Sequence, residues 1–403
     1  MRRVVVTGIG TVNALACDVP GTFDALAAGR CGIGPLTFRD ADRLSIRIGA
    51  ALPDWRPEDR FDPARLPLYD RVTQYALVAG AEAVAMAGLH GDLGVRGLGP
   101  RGGVILGTAA GGISTWEDSY RAVFAEGRNR VSPLVVPRLM HNAAASHLSA
   151  AYGLQGPVLT VATACASANQ AMGLALQQIR LGTADVILTG GAEAMLCCGG
   201  VKAWEGLRVL APDACRPFSL GRKGMVIGDG AGVLIFEAMD HARARGANIL
   251  AEVAGFGMCA DAGDIVAPDP DGAARAMRLA LQDADLTPAD IGYVNAHGTG
   301  TLANDRSETT AIRAVFGAKP PPVSSTKAMH GHAIGATGGL EAIACIMALT
   351  QGILPPTIGF QTPDPDCALD VIANVARPAR IGAALSNAFA FGGLNAVLAF
   401  IQP

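Results

Sequence analysis

Short apolar runs without strict polar alternation recur along the chain, separated by longer stretches in which apolar residues return at helical spacing. Residues 4–7, 104–106, 158–161, 186–188 and 233–236 form one series. After Gly246 a second begins, with residues 249–253, 291–295, 323–325, 383–385 and 396–401. Runs of this kind read as strands buried on both faces, and their alternation with helical stretches predicts an α/β fold with sheets covered by helices. The restart of the rhythm suggests two similar halves, residues 1–246 and 247–403.

Composition sharpens this picture. With 50% hydrophobic, 17% charged and only 5% aromatic residues, the core must be filled by Ala, Val, Leu, Ile and close backbone packing. A net charge of −3 argues against a nucleic-acid protein. The start Met1-Arg2-Arg3 leads into an apolar run too short for a signal segment, and glycine, proline and charge interrupt every candidate for the roughly 20-residue span of a membrane helix. A cytoplasmic protein is expected. The nine cysteines are scattered, with only Cys197 and Cys198 adjacent, and read as reduced thiols.

One cysteine stands out by position. Residues 157–161 read as a buried strand, Thr163-Ala-Cys165-Ala-Ser follows, and a helical run then ends near Leu181-Gly182. At such a junction the unpaired N–H groups and positive end of the helix dipole favour a thiolate nucleophile. A small buried core residue is the alternative.

Three of the seven histidines fall in two polar, glycine-containing segments after predicted strands: Asn295-Ala-His297-Gly-Thr299-Gly-Thr301 and Thr326-Lys327-Ala-Met-His330-Gly-His332. Strand ends are where α/β folds place chemistry. A zinc site would need further donors, and neither Cys-x-x-Cys nor His-Glu-x-x-His supplies them, so no metal is expected. His90, His141, His147 and His241 sit in ordinary helical or surface contexts. Lys327 can pair with Glu341 on the following helix, as structure or as catalytic support. The opening Gly8-Ile-Gly10 lacks the third glycine and the acidic residue of a dinucleotide fingerprint, and no Walker motif is present.

Together these segments resemble the β-ketoacyl-[acyl carrier protein] synthases of the thiolase superfamily, particularly the type II elongating enzymes of the synthase II kind. The resemblance runs over essentially the full length. It adds Gly190-Gly-Ala-Glu193, Arg216-Pro-Phe-Ser with Arg222, Gly228-Asp-Gly-Ala-Gly232, Asn304-Asp305 with Glu308, Ser386-Asn387 and Phe391-Gly-Gly393 to the motifs above. It implies the thiolase fold, five α/β/α/β/α layers from two related halves, and a homodimer. It also implies decarboxylative condensation of a Cys165-bound acyl chain with malonyl-[acyl carrier protein], without metal or redox cofactor.

By the same resemblance, Cys165 accepts the acyl group and the backbone N–H groups of Cys165 and Phe391 form the oxyanion hole. His297 and His332 hydrogen-bond the enolate, Lys327 and Glu341 form the active-site ion pair, and Thr299 and Thr301 contact the pantetheine arm. Arg128, Arg130 and Arg208 are candidates for the tunnel mouth that meets acyl carrier protein. Two departures matter: Ala110 stands where many relatives carry a bulkier residue beside the acyl pocket, and Ala390 replaces a glycine before the Phe391 gate. The first predicts a deeper pocket, the second altered gating if the position needs a glycine-only backbone. The rivals are the active half of a heterodimeric type II polyketide or polyene synthase, a non-catalytic chain-length partner, and a thiolase, whose second cysteine context Cys367 lacks.

Overall fold

The computed structural model describes residues 1–89 and 95–403; His90 lies outside the described residues. Strands β1 (Val4–Asn13), β2 (Gly102–Gly107), β3 (Val158–Val161), β4 (Val186–Glu193) and β5 (Gly230–Ala238) form one sheet in the order β3-β2-β4-β5-β1. Strands β6 (Ala251–Ala260), β7 (Tyr293–Asn295), β8 (Val323–Ser324), β9 (Ala383–Ala390) and β10 (Leu394–Ile401) form the second in the order β8-β7-β9-β10-β6. From the outer edge inward, each sheet has two parallel pairings and then two antiparallel ones. The sheets join where β1 meets β6 antiparallel at Val5–Glu252 and Val6–Ala251.

All ten apolar runs overlap these strands, but several strands are longer than their runs. The strand read at residues 4–7 runs on through Gly8 and Gly10 to Asn13, and the packing shows why. A Cβ on Gly8 would lie 2.1 Å from the Ala83 carbonyl oxygen, and one on Gly10 2.0 Å from that of Ala79. Here glycine lets a helix press onto the strand.

That helix is α1 (Arg71–Met86); α2 (Ser167–Arg180), α3 (Pro270–Asp283), α4 (Leu302–Phe316) and α5 (Thr337–Gln351) complete the framework around the site. Helix α1 covers the first sheet, α3 and α4 cover the second, and α2 and α5 lie together between the two, giving five layers. Helix α2 buries Ala168, Ala171, Met172, Ala175, Leu176 and Ile179, the spacing of an amphipathic stripe. Helix α5 is buried on every side from Thr337 to Leu349. The stretch Ile334–Gln351 is long and apolar enough to cross a membrane, yet 89% of it is buried inside the protein, as a core helix between two sheets must be. Both central helices begin at the same level of the molecule, and there the candidate residues converge.

Candidate active site

Cys165 sits on a sharp turn between β3 and α2. Ala164 just before it takes a left-handed backbone, φ +49°, and the turn 164–166 passes into α2 at Ser167. The Ser167 hydroxyl stitches the turn, accepting from Thr163 N–H at 2.9 Å and donating to the Ala164 carbonyl at 2.6 Å. A left-handed non-glycine residue costs about 1–2 kcal/mol. The turn aims the Cys165 sulfur at a cavity although the residue is only 6% exposed.

Burial sets the state of this thiol. It is pushed up to about 12, with Lys327 and the residue's own N–H opposing the shift. The sequence expectation of a helix-stabilised thiolate is therefore corrected for the resting protein: desolvation outweighs the dipole, and the sulfur holds its proton until a base or substrate takes part.

His332 Nε2 lies 3.2 Å from that sulfur, and its Nδ1 lies 2.9 Å from the Thr337 hydroxyl. The backbone is fixed too: His332 N–H donates to the Val226 carbonyl at 2.7 Å, and its own carbonyl accepts from Gly228 N–H at 2.9 Å. His297 meets His332 edge-on at 5.5 Å between ring centroids. Glu308 on α4 holds the loop of His297, accepting from the N–H groups of His297 and Gly298 at 2.8 and 2.7 Å. Both imidazoles are held well below the usual histidine value, by burial first and Lys327 second, so both are neutral at pH 7.

The ligating atoms of Cys165, His297 and His332 all lie within 4.8 Å of one another. The fold gathers them from three distant segments, which a search for local metal motifs does not see. Lys327 and Glu341 form a fully buried ion pair. Burial raises the Glu341 carboxyl to about 7, Lys327 opposing the shift.

Thr299, Thr301, Phe389, Ala390 and Phe391 line the same cavity, with Ile265 and Val266 at its exposed rim. The hydroxyls of Thr299 and Thr301 are 3.0 Å apart, and Arg222, buried between Asp305 and Asp364, steadies the turn that carries them. Phe391 stacks on Trp204 at 5.9 Å. The next two residues, Gly392 and Gly393, take φ +84° and +67°. Gly392 N–H donates to the Ile265 carbonyl at 2.8 Å, and Asp261 N–H to the Gly393 carbonyl at 2.8 Å.

Some expectations shift. Ala390 is the last residue of β9 and is not among the residues with a left-handed backbone, so the glycine-only argument does not hold; its methyl lines the cavity instead. Ala110 does not line the cavity at Cys165; its N–H donates to Glu193 at 3.2 Å. Arg128, Arg130 and Arg208 lie outside the cavity lining as well, and Arg128 pairs with Glu126 at the surface. His330 is buried, bonded to Thr326 and Gly331. Sequence reasoning assigned no role to Thr337, Trp204 or Glu308; a hydroxyl five residues after a strand-end histidine is the one local signal that points to Thr337.

The family description "Beta-ketoacyl synthase, N-terminal domain" matches residues 1–242, and "Beta-ketoacyl synthase, C-terminal domain" matches residues 250–361. The chain is 48% identical over 403 residues to "Nodulation protein E" of Rhizobium sp. (strain N33), covering 100% of this chain and 99% of that protein. It is 41% identical over 408 residues to "3-oxoacyl-[acyl-carrier-protein] synthase 2" of Staphylococcus aureus (strain COL), covering 99% and 98%. Among solved structures, "The ishigamide ketosynthase/chain length factor" superposes with a TM-score of 0.95 at 37% identity, covering 100% of this chain and 99% of that one.

Proposed function

The chain belongs to the β-ketoacyl synthase family, and from that premise we propose that it extends an acyl chain on acyl carrier protein by decarboxylative condensation at Cys165. Its five layers are those of the thiolase fold. The observation that carries the mechanism is the approach of Cys165 Sγ to His332 Nε2, 3.2 Å, with His297 beside them.

In the first half-reaction the sulfur attacks the thioester carbonyl of acyl-[acyl carrier protein]. Because the thiol is protonated at rest, its proton passes to the departing pantetheine sulfur as the new S–C bond forms, while the Nε2–H of neutral His332 donates a hydrogen bond to the sulfur as it gains thiolate character. The backbone N–H groups of Cys165 and Phe391 stabilise the tetrahedral oxyanion.

In the second, malonyl-[acyl carrier protein] loses carbon dioxide and its electron pair passes to an enolate oxygen. Imidazole N–H groups of His297 and His332 stabilise that charge. For His332 this needs the proton on Nε2, the tautomer in which the Thr337 hydroxyl donates to Nδ1. The carbanion attacks the acyl-Cys165 carbonyl, the cysteine sulfur leaves as a thiolate that regains its proton from solvent, and a β-ketoacyl chain two carbons longer remains on the carrier. The electron balance closes without a redox cofactor or metal. Thr299 and Thr301 contact the pantetheine arm, and Lys327 with Glu341 sets the field behind the histidines.

The same reading divides the chain at 246/247, with the nucleophile in the first half and both histidines in the second. It also gives the protein a partner of like fold, in the cytoplasm. β3 is an edge strand whose Val158 and Leu159 are each 38% exposed; exposed Trp116 lines a surface hollow with Thr160 of that strand and continues through ring contacts to exposed Tyr120 and Phe124. An apolar sheet edge of this kind asks to be covered. A second copy of this chain fits it, and the likeness to a ketosynthase with a chain length factor favours a chain-length subunit as the other occupant. A non-catalytic role or thiolase chemistry fits worse, since the three reactive groups are assembled and Cys367 is buried in another cluster.

The test is to incubate the purified protein with acyl- and malonyl-[acyl carrier protein], beside Cys165→Ala, and follow intact masses. A β-ketoacyl carrier formed only by the wild type supports the synthase. Neither acylation nor condensation with any primer, in a folded preparation supplied with the chain-length subunit, overturns it.

A further inference from the structure

Glu193 closes the Gly190-Gly-Ala-Glu193 motif and takes no part in the chemistry above. It is fully buried at the end of β4. One carboxylate oxygen accepts from Ala109 N–H at 2.7 Å and Gly335 N–H at 3.1 Å; the other accepts from Ala110 N–H at 3.2 Å and the Thr108 hydroxyl at 3.1 Å. These donors belong to two separate pieces of chain. Residues 108–110 leave β2, whose last residue, Gly107, packs against the start of α2 behind Cys165: a Cβ there would lie 2.4 Å from Ala168 N. Gly335 lies in the short turn 334–336, with His332 three residues before it and Thr337 two after. The Ala336 N–H closes that turn onto the Ala333 carbonyl at 2.8 Å.

We propose that Glu193 is a positioning residue for the condensation: its carboxylate fastens the turn between His332 and Thr337 to the segment behind Cys165, and so sets the His332–Cys165 approach. The proposal rests on the catalytic reading of that pair. Above about pH 7, the value to which burial raises it, the carboxyl is ionised and suits the task, because all four groups facing it are donors. Glutamine must turn an NH₂ toward at least one N–H donor, leaving it unpaired.

The experiment compares wild type, Glu193→Gln and Thr108→Val in steady-state condensation with both loaded carrier proteins, with thermal melting to verify folding. Misplacement of a catalytic group on the ångström scale costs up to about 100-fold in rate. Glu193→Gln is expected to lower kcat on the order of 10- to 100-fold with KM for either carrier within about 2-fold of wild type. Thr108→Val, which removes one donor and keeps the carboxylate, lowers kcat about 3-fold at unchanged KM.

A folded Glu193→Gln enzyme with wild-type kcat overturns the proposal, as does one whose loss lies in KM. If that variant does not fold, Thr108→Val decides: unchanged kcat overturns, the few-fold loss supports. The two readings fail differently. A wild type that never condenses brings down the synthase reading and this proposal together, whereas an active wild type matched by Glu193→Gln removes only the role of Glu193.

Discussion

The turn that presents Cys165 has a twin in the other half of the molecule. Thr163-Ala164-Cys165-Ala166-Ser167 leads into α2; Ala333-Ile334-Gly335-Ala336-Thr337 leads into α5. Each places a non-glycine residue in the left-handed region, Ala164 at φ +49° and Ile334 at +40°, and each packs against the end of a strand from the opposite sheet. For the first turn that strand is β9, ending in Ala390, and a cavity opens beyond it. For the second it is β4, ending in Glu193, whose carboxylate fills the space: a Cβ on Gly335 would lie 2.7 Å from Glu193 Oε2 and 2.4 Å from Ala109 N. One backbone device thus serves two ends. What stands opposite the turn decides whether it becomes a reactive centre or a structural joint.

The hydroxyls that begin the two helices diverge likewise. Ser167 turns back to stitch its own turn, whereas Thr337 turns outward to His332.

The largest expected break in this comparison is Cys165→Gly, which gives the first turn the residue of the second. Condensation should fall on the order of 10⁴-fold or more, with no acyl adduct on the protein by intact mass. Next comes the pH dependence of what fills the second turn. Burial raises the Glu193 carboxyl to about 7 from its ordinary 4.5, so the folded protein holds this proton more tightly than the unfolded chain. Stability from this group is full below pH 4.5 and is lost as the pH rises through about 7. The stability difference between wild type and Glu193→Gln should therefore drift against wild type by up to about 1.4 kcal/mol per pH unit across that window and flatten above it. Denaturant titrations at stepped pH measure this; a flat difference would mean that the four donors offset burial and keep the carboxylate ionised throughout.

Smaller is Thr337→Val, which removes the hydroxyl that fixes the His332 tautomer. It should lower condensation about 10-fold while leaving melting within a few degrees of wild type. Smallest is Ala164→Gly, where relief of the left-handed strain offsets lost methyl burial and added chain entropy. Stability should stay within about 1 kcal/mol of wild type, read by denaturant unfolding.

Much of this was legible in the chain. The apolar runs marked every strand of both sheets, most of them because strands covered on both faces need no polar alternation; the expectation of a buried strand at 157–161 is corrected, since Val158 and Leu159 are exposed at the edge of the sheet. Cys165, His297 and His332 stood out because each follows a strand in a setting of small residues. Burial was not legible. The thiol near 12 and the neutral imidazoles follow from the layers around them, which no local motif encodes. Contacts across the halves were equally hidden: Glu193 and Gly335 lie 142 residues apart, so the motif was visible while its task was not. Ala390 shows the opposite error, where an alanine in a glycine's place suggested backbone strain and the residue simply completes the strand without a left-handed backbone.

The open edge at β3 bears on how this protein is made as well as how it works. A strand with free N–H and C=O groups and exposed Val158 and Leu159 pairs readily with any other exposed edge, the geometry from which aggregates grow. A newly synthesised chain is therefore in competition between its proper partner and its own misassembly. If a second copy is that partner, recovery of folded protein should be high when the chain is produced alone. If a chain-length subunit is, recovery should rise sharply on co-production, and yield would identify the partner before any turnover is measured.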